Sequence, residues 1–160
     1  MHGESAVAAA ERAAYLAAPQ WVVFSCDDHW FAFPIARVRE ILPPRPFTRL
    51  PGCGSEVCGL IGLRGRILTV FDFGAALGLS PASEREDHRL VLLEHGDRVV
   101  GMAVDEMVAV TRLAARDLSL STEVLRSFEI ERDDVIGVGS LEGRPFTAVE
   151  PAAILERLLD

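Results

Sequence analysis

The sequence predicts a mainly β protein, a sandwich or small barrels with a few short helices. Three observations point there. Short β-branched and aromatic runs recur along the chain, tight-turn dipeptides separate them in pairs, and no repeated alternation of strands with long helices suggests a doubly wound sheet. The length of 160 residues, 49% apolar and 25% charged, suffices for one domain or two small subdomains with a real core, which excludes disorder for most of the chain.

Residues 1–19 are Ala-rich with few strand formers and are expected to form a peripheral helix or arm, stopped by Pro19. From Trp21 the texture changes, and 20–160 reads as the folded domain. Trp21–Cys26 and Trp30–Phe33 flank the polar break Cys26-Asp27-Asp28-His29, which suits a hairpin. Phe73–Leu77 is a short helix that Asp72 can cap and Gly78 can close. A second hairpin pairs Leu90–Leu93 with Val99–Val104 through Gly96-Asp97, whose residue types tolerate the positive φ angles of a tight turn. A third joins Val135–Leu141 to Pro145–Val149 through Glu142-Gly143. Pro151 can open a C-terminal helix with Ile154, Leu155, Leu158 and Leu159 on one stripe.

Charge narrows the function classes. The net charge is −8, all 16 basic residues are Arg, and a chain that is acidic overall is disfavoured as a non-specific phosphate binder, since a nucleic-acid module is usually basic over at least one face. The charge is uneven: residues 35–66 carry Arg37, Arg39, Arg45, Arg49, Arg64 and Arg66 against Glu40 and Glu56, a local +4, while 84–106 sums to −4 and 123–160 to −5. That basic segment is suited to meeting an acidic protein surface. No apolar run is long enough to span a bilayer and the first twenty residues lack the basic start and apolar core of a secretion signal, so a cytoplasmic chain with reduced thiols is expected.

Catalytic groups are scarce. His2, His29, His88 and His95 lie near turns or the terminus and are expected to be solvated, and the neighbouring acids Asp27/Asp28, Asp105/Glu106 and Asp133/Asp134 read as turn residues. Cys53 and Cys58 form a C-x4-C pair that could hold a metal or a disulfide, but no second ligand pair follows. No enzyme, cofactor or metal site is predicted. The segment Gly59–Asp72 instead puts Arg64 between two glycines ahead of an apolar strand, and Val38–Leu42 offers Glu40 among apolar neighbours. A Glu40–Arg64 pair would satisfy both charges at the rim of a core, as structural pair and as interface.

Six blocks in order, Trp21–Phe24, Ile35–Leu42, Thr48–Pro51, Gly59–Ile67, Val70–Phe73 and Arg98–Met107, continued by Val135–Arg144, resemble the CheW-like chemotaxis coupling proteins over about residues 20–159. The resemblance implies two interleaved five-stranded β-barrel subdomains of the SH3-like kind. It also implies a non-enzymatic adaptor that joins the cytoplasmic tip of a chemoreceptor to the regulatory domain of a CheA-type histidine kinase, without membrane insertion of its own. By position-matching, Glu40 and Arg64, with Gly65 beside them, correspond to an acid–base pair next to the receptor groove, and Val38, Arg89 and Val110 to residues on that groove. Three positions depart from the pattern: Gly62 where Asn is usual, Thr69 where Pro is common, and Arg89 where the family is usually apolar. These departures keep two alternatives open, a paralogue in a chemosensory-like pathway with another output and a kinase-binding plug without receptor contact. A thiol or metal module on Cys53 and Cys58 is a third.

Overall fold

The computed structural model describes residues 19–120 and 122–159, so the Ala-rich stretch 1–18, with His2, lies outside the described residues. Ten strands make two sheets. One uses both ends of the chain: β1 (Gln20–Cys26), β2 (His29–Pro34), β8 (Glu106–Arg112), β9 (Val135–Leu141) and β10 (Arg144–Val149), in the order β8-β1-β2-β10-β9. The other is continuous in sequence and inserted between β2 and β8: β3 (Val38–Leu42), β4 (Val57–Leu63), β5 (Arg66–Asp72), β6 (Arg89–His95) and β7 (Arg98–Val104), in the order β3-β6-β7-β5-β4. We call them the split barrel and the inserted barrel. Each contains a single parallel contact, β2 with β10 and β5 with β7, and both follow one plan.

Closure follows the same plan twice. In the inserted barrel the chain leaving β3 swings back to the far edge strand, where Thr48 and Leu60 exchange two backbone hydrogen bonds of 2.8 Å. In the split barrel the chain leaving β8 does likewise, with Ser119 paired to Val138 of β9 at 3.0 and 2.5 Å. A glycine precedes the receiving residue in each case. A Cβ on Gly59 would lie 2.5 Å from the Thr48 carbonyl oxygen, and one on Gly137 would lie 2.6 Å from the Leu118 Cβ. Only glycine lets the returning chain approach that closely.

The tight turns explain the short strands. Asp27-Asp28, Arg64-Gly65 and Glu142-Gly143 all have positive φ at both residues, the requirement of a two-residue type I′ hairpin. At Gly96-Asp97 only Gly96 is left-handed, at φ +62, so Asp97 does not need the positive φ expected of it. Among the described residues three α-helices fill the corners: α1 (Phe73–Ala76), α2 (Thr122–Ser127) and α3 (Pro151–Leu159). Asp72 caps α1 as expected, and its buried carboxylate does more. It accepts from the backbone N–H of Ala75, Ala82 and Ser83 at 2.9–3.0 Å and from the Ser83 hydroxyl at 2.6 Å, tying the 82–84 turn to the end of β5. Such a carboxylate tolerates burial because several donors replace its water.

The β1 and β2 runs lack clean alternation because both faces are covered. Trp21, Val23 and Ala32 face the split barrel's own core with Phe146 and Ala148, while Phe24, Phe31 and Phe33 face the larger core shared with the inserted barrel. Phe73 on α1 meets all three of those rings, with centroids 4.9–5.7 Å away. Ile154 and Leu155 of α3 join the same core, with Leu158 and Leu159 partly buried against it. The helix is held by Arg157, which bonds the fully buried Asp134 carboxylate.

His88 corrects one sequence expectation. It is 5% exposed rather than solvated, stacked on Phe47 with centroids 5.8 Å apart, and its Nδ1 lies 2.6 Å from the Arg85 carbonyl. The 3-10 turn at Ala82–Glu84 and the residues after it fold this position inward, which no local pattern around Asp87-His88-Arg89 signals. No helix among the described residues is long and apolar enough to cross a membrane.

Candidate partner-binding site

The inserted barrel has two edge strands, β3 and β4, and the seam between them is where the predicted pair lies. Three stitches cross it in order. Thr48 pairs with Leu60, the Arg45 guanidinium donates to the Gly62 carbonyl at 2.5 Å, and Arg64 closes on Glu40. The last stitch is bidentate: Arg64 Nη1 donates to Glu40 Oε1 at 2.8 Å and Nη2 to Oε2 at 2.7 Å. This geometry matches fork to fork and fixes the direction of both side chains.

Local structure makes the pairing possible. Arg64 is the first residue of the β4–β5 turn, at φ +50, a conformation uncommon for a side chain of its size, and Gly65 follows at φ +79. Glu40 follows a bulge in the β3–β6 pairing, between Val38 opposite Leu93 and Glu40 opposite Leu92. The bulge turns Arg39 outward, where it bonds Glu94 at 2.8 Å. The Arg64 side chain is 68% exposed and the Glu40 side chain 30%, so the pair sits at the surface. Its worth to stability is therefore small, and its value lies in presenting an ordered charge pair. The Arg64 guanidinium, above all through its hydrogen bonds, holds the Glu40 carboxyl below the usual carboxylate range, with Arg45 and Arg39 adding to the effect. Arg64 is correspondingly raised by Glu40.

Behind the pair the barrel mouth opens into a hollow of about 230 Å³ lined by Arg39, Glu40, Leu63, Arg64, Arg66, Leu68, Leu92 and Val99. Val38 lies one step along β3, half-buried against the core. The other expected site residues lie elsewhere. Arg89 starts β6, donates to the carbonyls of Asp87 and His88, and borders a separate hollow with Asp87, Glu106 and Met107. Val110 is 54% exposed on β8, the edge strand of the split barrel. The structure thus joins Glu40 and Arg64 at the mouth, with Gly65 next in the turn and Val38 earlier on β3, and leaves Arg89 and Val110 outside the mouth. Sequence reasoning missed Arg45 and the apolar floor; the only signal for Arg45 was its place in the basic segment.

Cys53 and Cys58 line one hollow beside Phe47 and Arg49, but their environments differ. Cys53 is exposed, whereas Cys58 is buried with its Sγ 4.0 Å from an Asp72 oxygen. Burial, then Asp72, pushes the Cys58 thiol up to about 12, which makes it a poor nucleophile and a poor metal ligand near neutral pH. Cys26 is raised as well, chiefly by burial.

Comparison with known proteins agrees with this architecture. The family model for the CheW-like domain matches residues 20–159. The chain is 33% identical over 129 residues to the chemotaxis protein CheW of Rhizobium meliloti, covering 81% of this chain and 82% of the relative. It is 25% identical over 138 residues to the chemotaxis protein CheW of Helicobacter pylori, covering 86% and 82%. A shorter match of 84 residues, at 33% identity, links it to Protein PilI of Pseudomonas aeruginosa, covering 52% and 47%. Among solved structures, the scaffolding protein TtCheW from Thermoanaerobacter tengcongensis superposes with a TM-score of 0.76 at 21% identity, covering 87% of this chain and 93% of that one, which establishes the likeness of fold.

Proposed function

Because the chain belongs to the CheW-like family, we propose that it is a non-enzymatic adaptor coupling a chemoreceptor to a CheA-type histidine kinase in chemotaxis signalling. The observation that carries this reading is the family match over 20–159, the whole two-barrel fold, with the Glu40–Arg64 pair intact and exposed at a barrel mouth. The finer reading is that the mouth and its surroundings, Val38, Glu40, Arg64 and Gly65, with Arg89 and Val110 beyond it, meet the receptor tip and the regulatory domain of the kinase. In this reading 20–160 is the working domain and 1–19 an appended arm. It acts in the cytoplasm, recruited to membrane-attached receptor arrays. An adaptor of this kind needs reversible contacts, and a surface ion pair with a small apolar pocket behind it suits moderate affinity with directional specificity.

Calorimetric titration with the regulatory domain of a CheA-type kinase from the same cell, and separately with a receptor tip fragment, tests the proposal. Saturable one-to-one heat is expected, weakened by Arg64→Glu and partly restored by adding Glu40→Arg. Full binding by the single variant would refute the role of the pair, and binding to neither partner by folded protein would refute the coupling role.

A further inference from the structure

The mouth of the inserted barrel has the composition of an anchoring pocket. Leu68 and Leu92, both buried, form its floor, and Leu63 and Val99, half-buried, form its walls. The rim is cationic, with Arg39, Arg64 and Arg66 against Glu40. These charges differ in availability: Arg64 is committed to Glu40 and Arg39 to Glu94, while Arg66 makes no ion pair or side-chain hydrogen bond among the described residues. The seam stitches at Arg45 and Arg64 tie the two sides of the mouth to each other and fix its rim, so the pocket is preformed.

From this arrangement we infer that the mouth receives an apolar side chain of Leu, Ile or Phe type from a partner protein, with a carboxylate beside it that pairs with Arg66. The apolar side chain displaces water from Leu63, Leu68, Leu92 and Val99, and the carboxylate fixes the direction of entry. Charge complementarity sets the partner's chemistry, because a basic rim on a chain of net charge −8 selects locally for acid. The inference rests on the adaptor reading for the identity of the partner. It does not rest on that reading for the existence of the pocket.

Two variants and one control test it in the full chain. Val99→Phe fills the pocket, and Arg66→Glu reverses the free charge on an exposed strand end where no fold contact is lost. Arg116→Glu, exposed on a turn of the split barrel, makes the same change of net charge elsewhere. Each is titrated against the kinase regulatory domain and the receptor tip, and an acetylated Leu-Glu dipeptide amide is titrated into isotope-labelled protein while backbone amide shifts are followed. Both pocket variants are expected to weaken binding of one protein partner about ten-fold or more, the loss typical of an anchoring residue, with Arg116→Glu unchanged. The dipeptide is expected to shift the amides of Leu63, Arg66, Leu68 and Val99 in the wild type and not in Arg66→Glu. Wild-type affinity in both pocket variants overturns the pocket and leaves the adaptor reading standing. Dipeptide shifts at the mouth with no binding of either protein keep the pocket and overturn the adaptor reading. No shifts and no protein binding overturn both.

Discussion

Replacing Gly59 by Ala opens the seam of the inserted barrel, and the same replacement three residues along does not. Gly59 sits at φ +138, where side chains are strained, and an added Cβ would lie 2.5 Å from the Thr48 carbonyl oxygen and 3.0 Å from its carbon. Backbone cannot retreat as a flexible side chain can, so the Thr48 segment must lift away from β4. The strain is worth about 1–3 kcal/mol. The two 2.8 Å hydrogen bonds between Thr48 and Leu60 add about 1 kcal/mol each. Gly59→Ala should therefore destabilise by about 3–5 kcal/mol, which for a chain of this size lowers Tm by about 6–20 °C. Gly62 is the control. A Cβ there meets nothing within 4 Å and its φ is ordinary, so Gly62→Ala should stay within about 0.5 kcal/mol of the wild type or gain slightly. Urea denaturation of the two variants beside the wild type reads both values. Equal losses in the two, or a Gly59→Ala loss below about 1 kcal/mol on that scale, would refute the steric reasoning about the seam.

Other outcomes follow from the same geometry. Asp72→Asn keeps one acceptor oxygen and turns the other toward donors it cannot accept from, so two charge-assisted hydrogen bonds are lost and stability should fall by about 3 kcal/mol in denaturant titration; a loss under about 1 kcal/mol would contradict the role given to that carboxylate. The Glu40 carboxyl is held below its unfolded value, so the stability it contributes is present above that unfolded value and is lost as pH falls through the lower folded one. Carboxyl NMR titration should find Glu40 ionised below the usual glutamate range, with Arg64→Gln moving it back up; an unmoved titration in that variant would mean the pair is not formed in solution. A thiol reagent should label Cys53 at once and reach Cys58 and Cys26 only on unfolding. Rapid labelling of Cys58 in native protein would place it at the surface.

Legibility in the sequence tracks how local each cause is. The hairpins at Asp27-Asp28, Gly96-Asp97 and Glu142-Gly143 announced themselves because turn conformation is set by the two residues that make it. Asp72 was legible as a cap for the same reason, but its bonds to Ala82 and Ser83 depend on a chain reversal ten residues later. β8 carried no clear period because Met107–Ala109 are half-buried on an edge strand with neither face fully covered or fully wet. The Glu40–Arg64 pair was legible from charge amid apolar neighbours. That one member lies on edge strand β3 and the other on the turn that leaves the opposite edge strand β4 was not, since strand order is a non-local property. The same holds for His88, buried by a turn and by Phe47 from forty residues upstream, and for the separation of Arg89 and Val110 from the mouth.

Sedimentation of three purified components tests coupling most directly. The kinase regulatory domain and a receptor tip fragment are mixed with and without this chain, and the sedimenting species are followed at each partner's own absorbance or label. A species containing both partners should form only when the chain is present, and should be reduced when Arg64→Glu replaces the wild type. Separate sedimentation of the two partners in the presence of folded wild-type chain would contradict the adaptor function.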